Sequence, residues 1–142
     1  MAVVLNGTEQ QWLVTASTDT LGAIGIFDKM TGGDMDAKVT LHRPGGMGAL
    51  QSFLALPEPT AVTISRVYVE DRDHALIGQL RTLVGSDYLT ISAQPLDQNA
   101  APFGTPTIYR GRLTNVKAGN ADSTSSTPRM FDLDIIPENV VN

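Results

Sequence analysis

The sequence predicts a mainly β fold, an antiparallel β-sandwich or barrel with one flanking α-helix. Several stretches alternate apolar and polar residues with the period of two that is typical of a half-buried strand. Glycine- and proline-rich segments separate these stretches, as turns separate antiparallel strands. One stretch alone follows the helical period of 3.6 residues, so a single helix is expected beside the sheet.

The alternation predicts about seven or eight strands. The clearest is RMFDLDII, in which Phe131, Leu133 and Ile135 alternate with Asp132 and Asp134. The others are QWLVTAS, AIGIFDKM, DAKVTLHRP, AVTISRVYVE, DYLTISAQPL and TPTIYRGRLTNV.

The segment DAKVTLHRP places Ala37, Val39 and Leu41 on one face, which predicts a half-buried strand. The two glycines and the aspartate at 32–34 lie between this segment and the preceding strand, and they predict the tip of a hairpin.

The helix is predicted over about 72–84, because apolar residues recur there on one helical stripe, at Leu76, Ile77, Leu80, Leu83 and Val84. Asp71 or Asp73 is the expected cap, since a carboxylate accepts hydrogen bonds from the unpaired N–H groups of a first turn. Loss of that cap in Asp73→Ala is expected to cost about 0.5–2 kcal/mol. Together with His74, these two aspartates are too close in sequence to complete a metal site alone.

Composition narrows the function. The chain of 142 residues suits one domain, it has no cysteine, and its formal net charge is −5. An acidic protein of pI about 4.8 is not expected to grip nucleic acid, which basic patches bind. The apolar residues 1–5 lack a basic flank and are too short for a signal or membrane segment, so no membrane association is expected.

No catalytic pattern is present in the sequence. The only histidines are His42 and His74, and neither a G-x-S-x-G elbow nor an H-E-x-x-H motif occurs. The glycine-rich RPGGMGAL lacks the lysine of a phosphate-binding loop and is interpreted as a loop or an interface. An enzyme is therefore not expected, and neither is a cofactor or a metal.

Three arginines, Arg66, Arg110 and Arg112, are interpreted as ion-pair partners among fifteen acidic residues. Arg110 and Arg112 share one strand face, so a monomeric β-sandwich binding module that uses this face stays open as an alternative. Trp12, the only tryptophan, is expected in the core or as an interface anchor.

The order of several segments resembles the major tail tube proteins of long-tailed bacteriophages, particularly those of actinobacterial hosts. These segments are FDKMTGGDMDAKVTLHRPGGMG, VTISRVYVEDRDH, DYLTISAQPLD, and YRGRLTNVK followed by ADSTSSTPRMFDLDI, and they span about Phe27 to Ile136. The resemblance implies a β-sandwich with one helix, in hexameric rings that stack into a hollow tube around the tape measure protein. It implies a location in the virion tail after assembly in the host cytoplasm, with tail terminator and baseplate or tip proteins as further partners, and passage of DNA without specific binding.

The resemblance also suggests where the functional residues lie. One tail-tube domain is expected over 1–142, with residues 1–24 as an N-terminal arm and stacking region, and without the C-terminal immunoglobulin-like domain of some relatives. A negative bore would repel phosphate, and the expected lumen-facing acids are Asp34, Asp36, Asp132 and Asp134. The residues expected to contact neighbouring subunits are Val3, Val4, Leu5, Trp12, Arg43, Pro44, Gly45 and Gly46. Another ring or tube component, of a type VI secretion-like or baseplate tube, is the nearest alternative.

Overall fold

The structure is a computed structural model, and it describes residues 12–97, 99–119, 121, 123–124 and 126–141. Within these ranges the chain forms eleven strands and one helix. In chain order they are β1 Trp12–Thr18, β2 Gly22–Phe27, β3 Lys29–Gly32, β4 Met35–Asp36, β5 Leu41–His42, β6 Gln51–Ser52, β7 Glu58–Pro59, β8 Val62–Val67, α1 Glu70–Arg81, β9 Tyr88–Pro95, β10 Thr107–Lys117 and β11 Met130–Val141.

Seven strands form one antiparallel sheet in the order β2-β1-β9-β10-β11-β8-β3. Its two edge strands are consecutive in the chain and meet at Asp28, whose N–H donates to the Ser65 carbonyl at 2.9 Å. The Asp28 carboxylate in turn accepts from the N–H of Val67 at 3.2 Å. Because β2 also contacts β8, the sheet curls into a nearly closed barrel. The predicted mainly β, antiparallel fold with one helix is confirmed.

The core lies inside this barrel and follows the alternation of the sequence. Residues of one parity in β1, β8, β9 and β11 are buried, and their neighbours point to the outer face of the sheet. The fully buried apolar side chains include Val62, Ile64, Leu89, Ile91, Leu113, Phe131, Leu133 and Ile135. Burying each of these is worth roughly 1.5–3 kcal/mol, so the inward-facing stripe is the main source of stability.

The helix begins two residues earlier than predicted and ends three residues earlier, at Arg81. Ile77 and Leu80 are buried against the barrel, and Leu76 packs beside them. Gly85 has a φ of +84° and its N–H donates to the Leu113 carbonyl at 2.7 Å, which returns the chain to the sheet. The helix has 12 residues, and no helix in the described part of the chain has the length and apolar character needed to cross a membrane.

The predicted hairpin tip at 32–34 is wrong. β3 and β4 do not pair with each other; β3 pairs with β8, and β4 pairs with β7. The positive φ angles of Gly32 and Gly33, +88° and +82°, bend the chain where it leaves the barrel. Turn chemistry favours such a bend, but it does not distinguish a bend that reverses the chain from one that redirects it.

The strand predicted in DAKVTLHRP is also largely absent. Only residues 35–36 and 41–42 are paired, with β7 and β6 respectively. Ala37, Val39 and Leu41 are exposed, so the predicted half-buried face is not part of the core of this chain.

Of the predicted N-terminal arm, residues 12–18 and 22–24 belong to the sheet as β1 and the start of β2, and residues 19–21 form the turn between them. Only residues 1–11 of that segment lie outside the described residues.

Gly32→Ala is expected to destabilise the protein by about 1–3 kcal/mol. A Cβ at Gly32 would meet the Ala61 carbonyl oxygen, and the positive φ adds strain. Gly45→Ala is the matched control, since a Cβ there meets no atom within 4 Å. Urea denaturation of both variants measures the difference, and equal free energies of unfolding would contradict the assigned geometry.

Candidate assembly surface

Residues 33–61 form a long hairpin that we call the arm. It continues the β3–β8 pair outward through the two-residue ladders β4–β7 and β5–β6. Further backbone bonds join its two sides, from Thr60 N–H to the Asp34 carbonyl at 2.7 Å and from Phe53 N–H to the Thr40 carbonyl at 2.9 Å. The two sides of the arm are therefore joined by backbone hydrogen bonds, but each of its two ladders is only two residues long.

The arm exposes many large apolar side chains. Met47 is fully exposed and Leu54 is 95% exposed. The others that are more than half exposed are Met35, Val39, Leu41, Leu50, Phe53 and Leu56. Single exposed apolar residues are ordinary on protein surfaces, but a concentration of this kind marks an interaction site.

The predicted inter-subunit residues are divided between two places. Arg43, Pro44, Gly45 and Gly46 lie at the outer end of the arm, just beyond β5. Trp12 begins β1 opposite Pro95 and is 42% exposed. Val3, Val4 and Leu5 lie outside the described residues. Contact of these residues with a neighbouring subunit stays a prediction.

The structure also separates the four predicted lumen-facing acids. Asp132 and Asp134 lie on the outer face of β11, and Asp34 and Asp36 lie at the base of the arm. In the ladder Asp132 is opposite Lys117, whereas the Asp134 carboxylate accepts from the Asn115 amide at 3.3 Å. That these acids line a lumen stays a prediction.

Arg110 and Arg112 are already paired on the outer face of β10. Arg110 forms a two-pronged ion pair with Asp19, at 2.6 and 3.1 Å, and this hydrogen bonding lowers the pKa of that carboxyl. Both guanidinium groups lie over the Tyr88 ring, at 4.8 and 4.7 Å from its centroid. Arg112 also lies 4.0 Å from Glu138. The predicted ion pairing is confirmed, so a ligand of the binding-module alternative would have to compete with Asp19 and Glu138 for these two arginines.

Arg66 is paired too, but inside the barrel. Its side chain is 3% exposed, and its Nη2 donates to the Asp73 carboxylate at 2.6 Å. The guanidinium packs against two core rings, 4.7 Å from the centroid of Phe27 and 5.3 Å from that of Phe131. The sequence did contain a signal that Arg66 points into the core, because it has the same parity along β8 as the buried Val62 and Ile64.

Asp73 connects this pair to the start of the helix. The N-cap is Val69, in extended conformation and with no side-chain cap, so neither Asp71 nor Asp73 occupies the cap position. Asp73 lies one turn inside the helix and reaches back, and its carboxylate accepts from the Val69 N–H at 2.9 Å. Arg72 donates to the same carboxylate at 3.0 Å from both Nε and Nη2, whereas Asp71 is exposed.

A metal site does not form at this helix start. His74 lies 3.4 Å from Glu70 at an exposed position, while the Asp73 carboxylate is fully buried and bonded to two arginines. Across the ranges that the structure describes, no group of three or more histidine, aspartate or glutamate side chains could hold a metal ion.

The pKa of Asp73 is lowered. Burial alone would raise it, but hydrogen bonds from Arg72, the Val69 N–H and Arg66 outweigh the burial. A lowered pKa in the folded state means that ionised Asp73 stabilises the protein above the pKa of the unfolded state, about 3.9.

Asp73→Asn is expected to lower the free energy of unfolding by about 3–5 kcal/mol, because it leaves the Arg66 guanidinium buried without a counter-charge. This exceeds the value that a lost cap alone would give. Asp71→Asn is the control and should change the free energy of unfolding by about 1 kcal/mol at most. Chemical denaturation at pH 7 measures both, and equal effects would show that the buried pair is not what Asp73 provides.

The difference between wild type and Asp73→Asn should also depend on pH. It should be constant near neutrality and should shrink as the pH falls below about 4, because protonation removes the charge of Asp73 from the wild type. Denaturation series between pH 7 and pH 2.5 test this. A difference that grows on acidification would contradict the lowered pKa.

Solved structures that are similar to this chain include chains of an anti-feeding prophage and chains of an extracellular contractile injection system. A chain of an anti-feeding prophage baseplate, six-fold symmetrised, matches with a TM-score of 0.68 at 15% identity, covering 99% of this chain and 96% of the other. A chain from the sheath/tube terminator of an extracellular contractile injection system, PVC, in its extended state, matches with a TM-score of 0.68 at 16% identity, covering 99% and 98%. A chain of the PVC sheath-tube complex matches with a TM-score of 0.66 at 15% identity, covering 94% and 88%.

No protein-family model matches the sequence, and no curated protein matches it. The similar structures show a shared fold: along almost its whole length, this chain has the fold of chains from an anti-feeding prophage baseplate and from a sheath/tube terminator of an extracellular contractile injection system.

Proposed function

We propose that this protein is a structural subunit of a phage-tail-like tube, in which hexameric rings stack into a hollow conduit. The observation that carries the proposal is the arm, a projecting hairpin with a concentration of exposed apolar side chains on a barrel whose own core is complete. The fold that this chain shares with chains of a sheath-tube complex, a sheath/tube terminator and a baseplate supports a structural role in such an assembly.

The energetics of the arm favour an assembled state. Full burial of one large apolar side chain is worth roughly 1.5–3 kcal/mol, so covering Met47 and Leu54 alone would offset a substantial part of the cost of ordering a contact. Nothing in the described chain covers these two residues. A neighbouring copy is the partner that the fold favours.

Repetition follows if the arm of one copy binds a different surface of the next. Such a head-to-tail contact closes into a ring or extends into a filament, whereas a contact between two arms closes into a dimer. The resemblance to tail tube proteins of long-tailed phages implies both ring closure and stacking. It also implies the tape measure protein inside the tube, terminator and baseplate or tip proteins at its ends, and passage of DNA in the virion.

The role is structural and non-catalytic in this proposal. The buried charges of Arg66 and Asp73 bond to each other, and the outer-face arginines are held by Asp19, Tyr88 and Glu138. These groups bond within the subunit, and no catalytic role is proposed for any of them. The acids Asp132 and Asp134 would line the conduit if the outer face of β11 forms the bore.

A ring at the end of a tube is a second candidate, and a specific observation favours it. Similar chains come from a tube-terminating cap, a sheath/tube terminator and a baseplate, as well as from a sheath-tube complex. A terminal ring would bind its like within the ring but would not stack on itself. The two candidates therefore differ in the length of the assembly.

Negative-stain electron microscopy of the purified protein over a range of concentrations tests the proposal. Sixfold rings stacked into tubes support a tube subunit, and single sixfold rings support a terminal ring. A protein that stays monomeric at every concentration and salt condition would overturn both.

Leu54→Glu is expected to abolish assembly while leaving the fold intact, because it places a charge on a 95% exposed apolar position of the arm. Gln79→Glu is the matched control, the same added charge on an exposed residue of α1, away from the arm. Circular dichroism should be unchanged in both variants. Sedimentation should show loss of assembly only in Leu54→Glu, and equal assembly of the two would remove the arm from the interface.

A further inference from the structure

We propose that the buried Arg66–Asp73 pair is a positioning device. It fixes edge strand β2 and helix α1 to β8, the strand that follows the arm. Its main effect is on the position of these elements relative to the arm, and its effect on the net stability of the subunit is small. The consequence for assembly rests on the proposed function, whereas the positioning itself belongs to the single subunit.

The first observation is the bulge in β2. In the β1–β2 ladder Ala16 is opposite Gly25 and Ser17 is opposite Ala23, so Ile24 is the extra residue. The Ile24 carbonyl accepts a hydrogen bond from Arg66 Nη1 at 3.2 Å. The bulge therefore gives an edge strand a bond to a side chain from inside the barrel.

Gly25 makes this approach feasible. Its φ is +125°, and a Cβ at this position would lie only 3.1 Å from Arg66 Nη1. A side chain at this position would therefore crowd the guanidinium. On the other side of the same group, Nη2 bonds to Asp73 in the first turns of α1.

The second observation is the place of Arg66 in the chain. It lies on β8, which begins at Val62, directly after the arm. The next residue, Val67, bonds through its N–H to the Asp28 carboxylate at the junction of β2 and β3. One guanidinium and its neighbour thereby connect the arm's strand to the helix and to both edges of the sheet.

The third observation concerns energetics. Burial of two opposite charges costs about as much as their attraction returns, and well-packed apolar replacements are often neutral or stabilising. Arg66 Nε is one of two buried side-chain atoms in the described residues with no hydrogen-bond partner. A pair with an unpaired N–H inside an apolar barrel contributes little net stability. The Arg66 guanidinium nevertheless bonds in fixed directions to two acceptors, the Ile24 carbonyl and the Asp73 carboxylate.

The test compares wild type with the double variant R66M/D73L, which removes both charges together. The overall unfolding equilibrium constant should stay within about tenfold of wild type. Amide hydrogen exchange of residues 22–26 and of the first turn of α1 should become at least about tenfold faster, while that of β9 and β10 is unchanged. Assembly at a fixed concentration should decrease.

Arg66→Lys is the second variant and keeps the inference testable if R66M/D73L does not fold. Arg66 reaches its two acceptors from two different nitrogens, whereas a lysine has a single nitrogen and no fixed fork. Exchange at β2 should therefore increase while the bond to Asp73 keeps the helix start protected.

Exchange that is unchanged at β2 in both variants, or that rises uniformly over the whole barrel, would overturn the inference, because a purely stabilising pair acts globally. The exchange is measured on the monomer, so it decides the inference even if wild type never assembles, an outcome that counts against the proposed function alone. Faster exchange at β2 with undiminished assembly would overturn the link between the pair and the assembly surface.

Discussion

A guanidinium inside an apolar barrel must find acceptors wherever it lies, and much of this structure is arranged around that requirement. Arg66 points inward because strand β8 alternates, and it cannot be turned outward without turning Val62 and Ile64 outward as well. Its acceptors must therefore come to it. Asp73 provides a carboxylate from the helix, and the bulge at Ile24 provides a carbonyl from β2.

This requirement accounts for the start of the helix. The Asp73 carboxylate must reach the barrel interior, and it does so from one turn inside the helix, with Arg72 and the Val69 N–H holding its other lone pairs. Capping preferences alone place the aspartate at the helix end, because they describe a solvent-exposed terminus. Here the same carboxylate satisfies a backbone N–H and neutralises a buried charge, so the helix begins earlier, at Glu70.

Much of the barrel could be predicted from the sequence, because alternation reports burial directly. The stretches around β8, β9, β10 and β11 were predicted as strands, and the apolar stripe with Ile77 and Leu80 predicted the docked face of α1. The sequence predicts ion pairing for Arg66, but it predicts neither the burial of Arg66 nor Asp73 as its partner, since a charged residue at an inward position looks like an ordinary interruption of the pattern. The bend at 32–34 lies where the glycines predict it, but it is not a hairpin tip, because glycine pairs indicate a positive φ and not the direction in which the chain continues.

The arm shows why the same pattern failed in one segment. Val39 and Leu41 alternate as core residues do, yet they are more than half exposed in the isolated chain. Alternation reports which residues a sheet buries, but it does not report whether the covering surface belongs to the same chain. For β8 and β11 the cover is the rest of the barrel. For the arm, no described part of this chain supplies it. The predicted buried face is therefore wrong for the single subunit, but it would be right in an assembly in which a neighbouring copy covers the arm. The exposure of Met47 and Leu54 further along the arm points to the same missing cover.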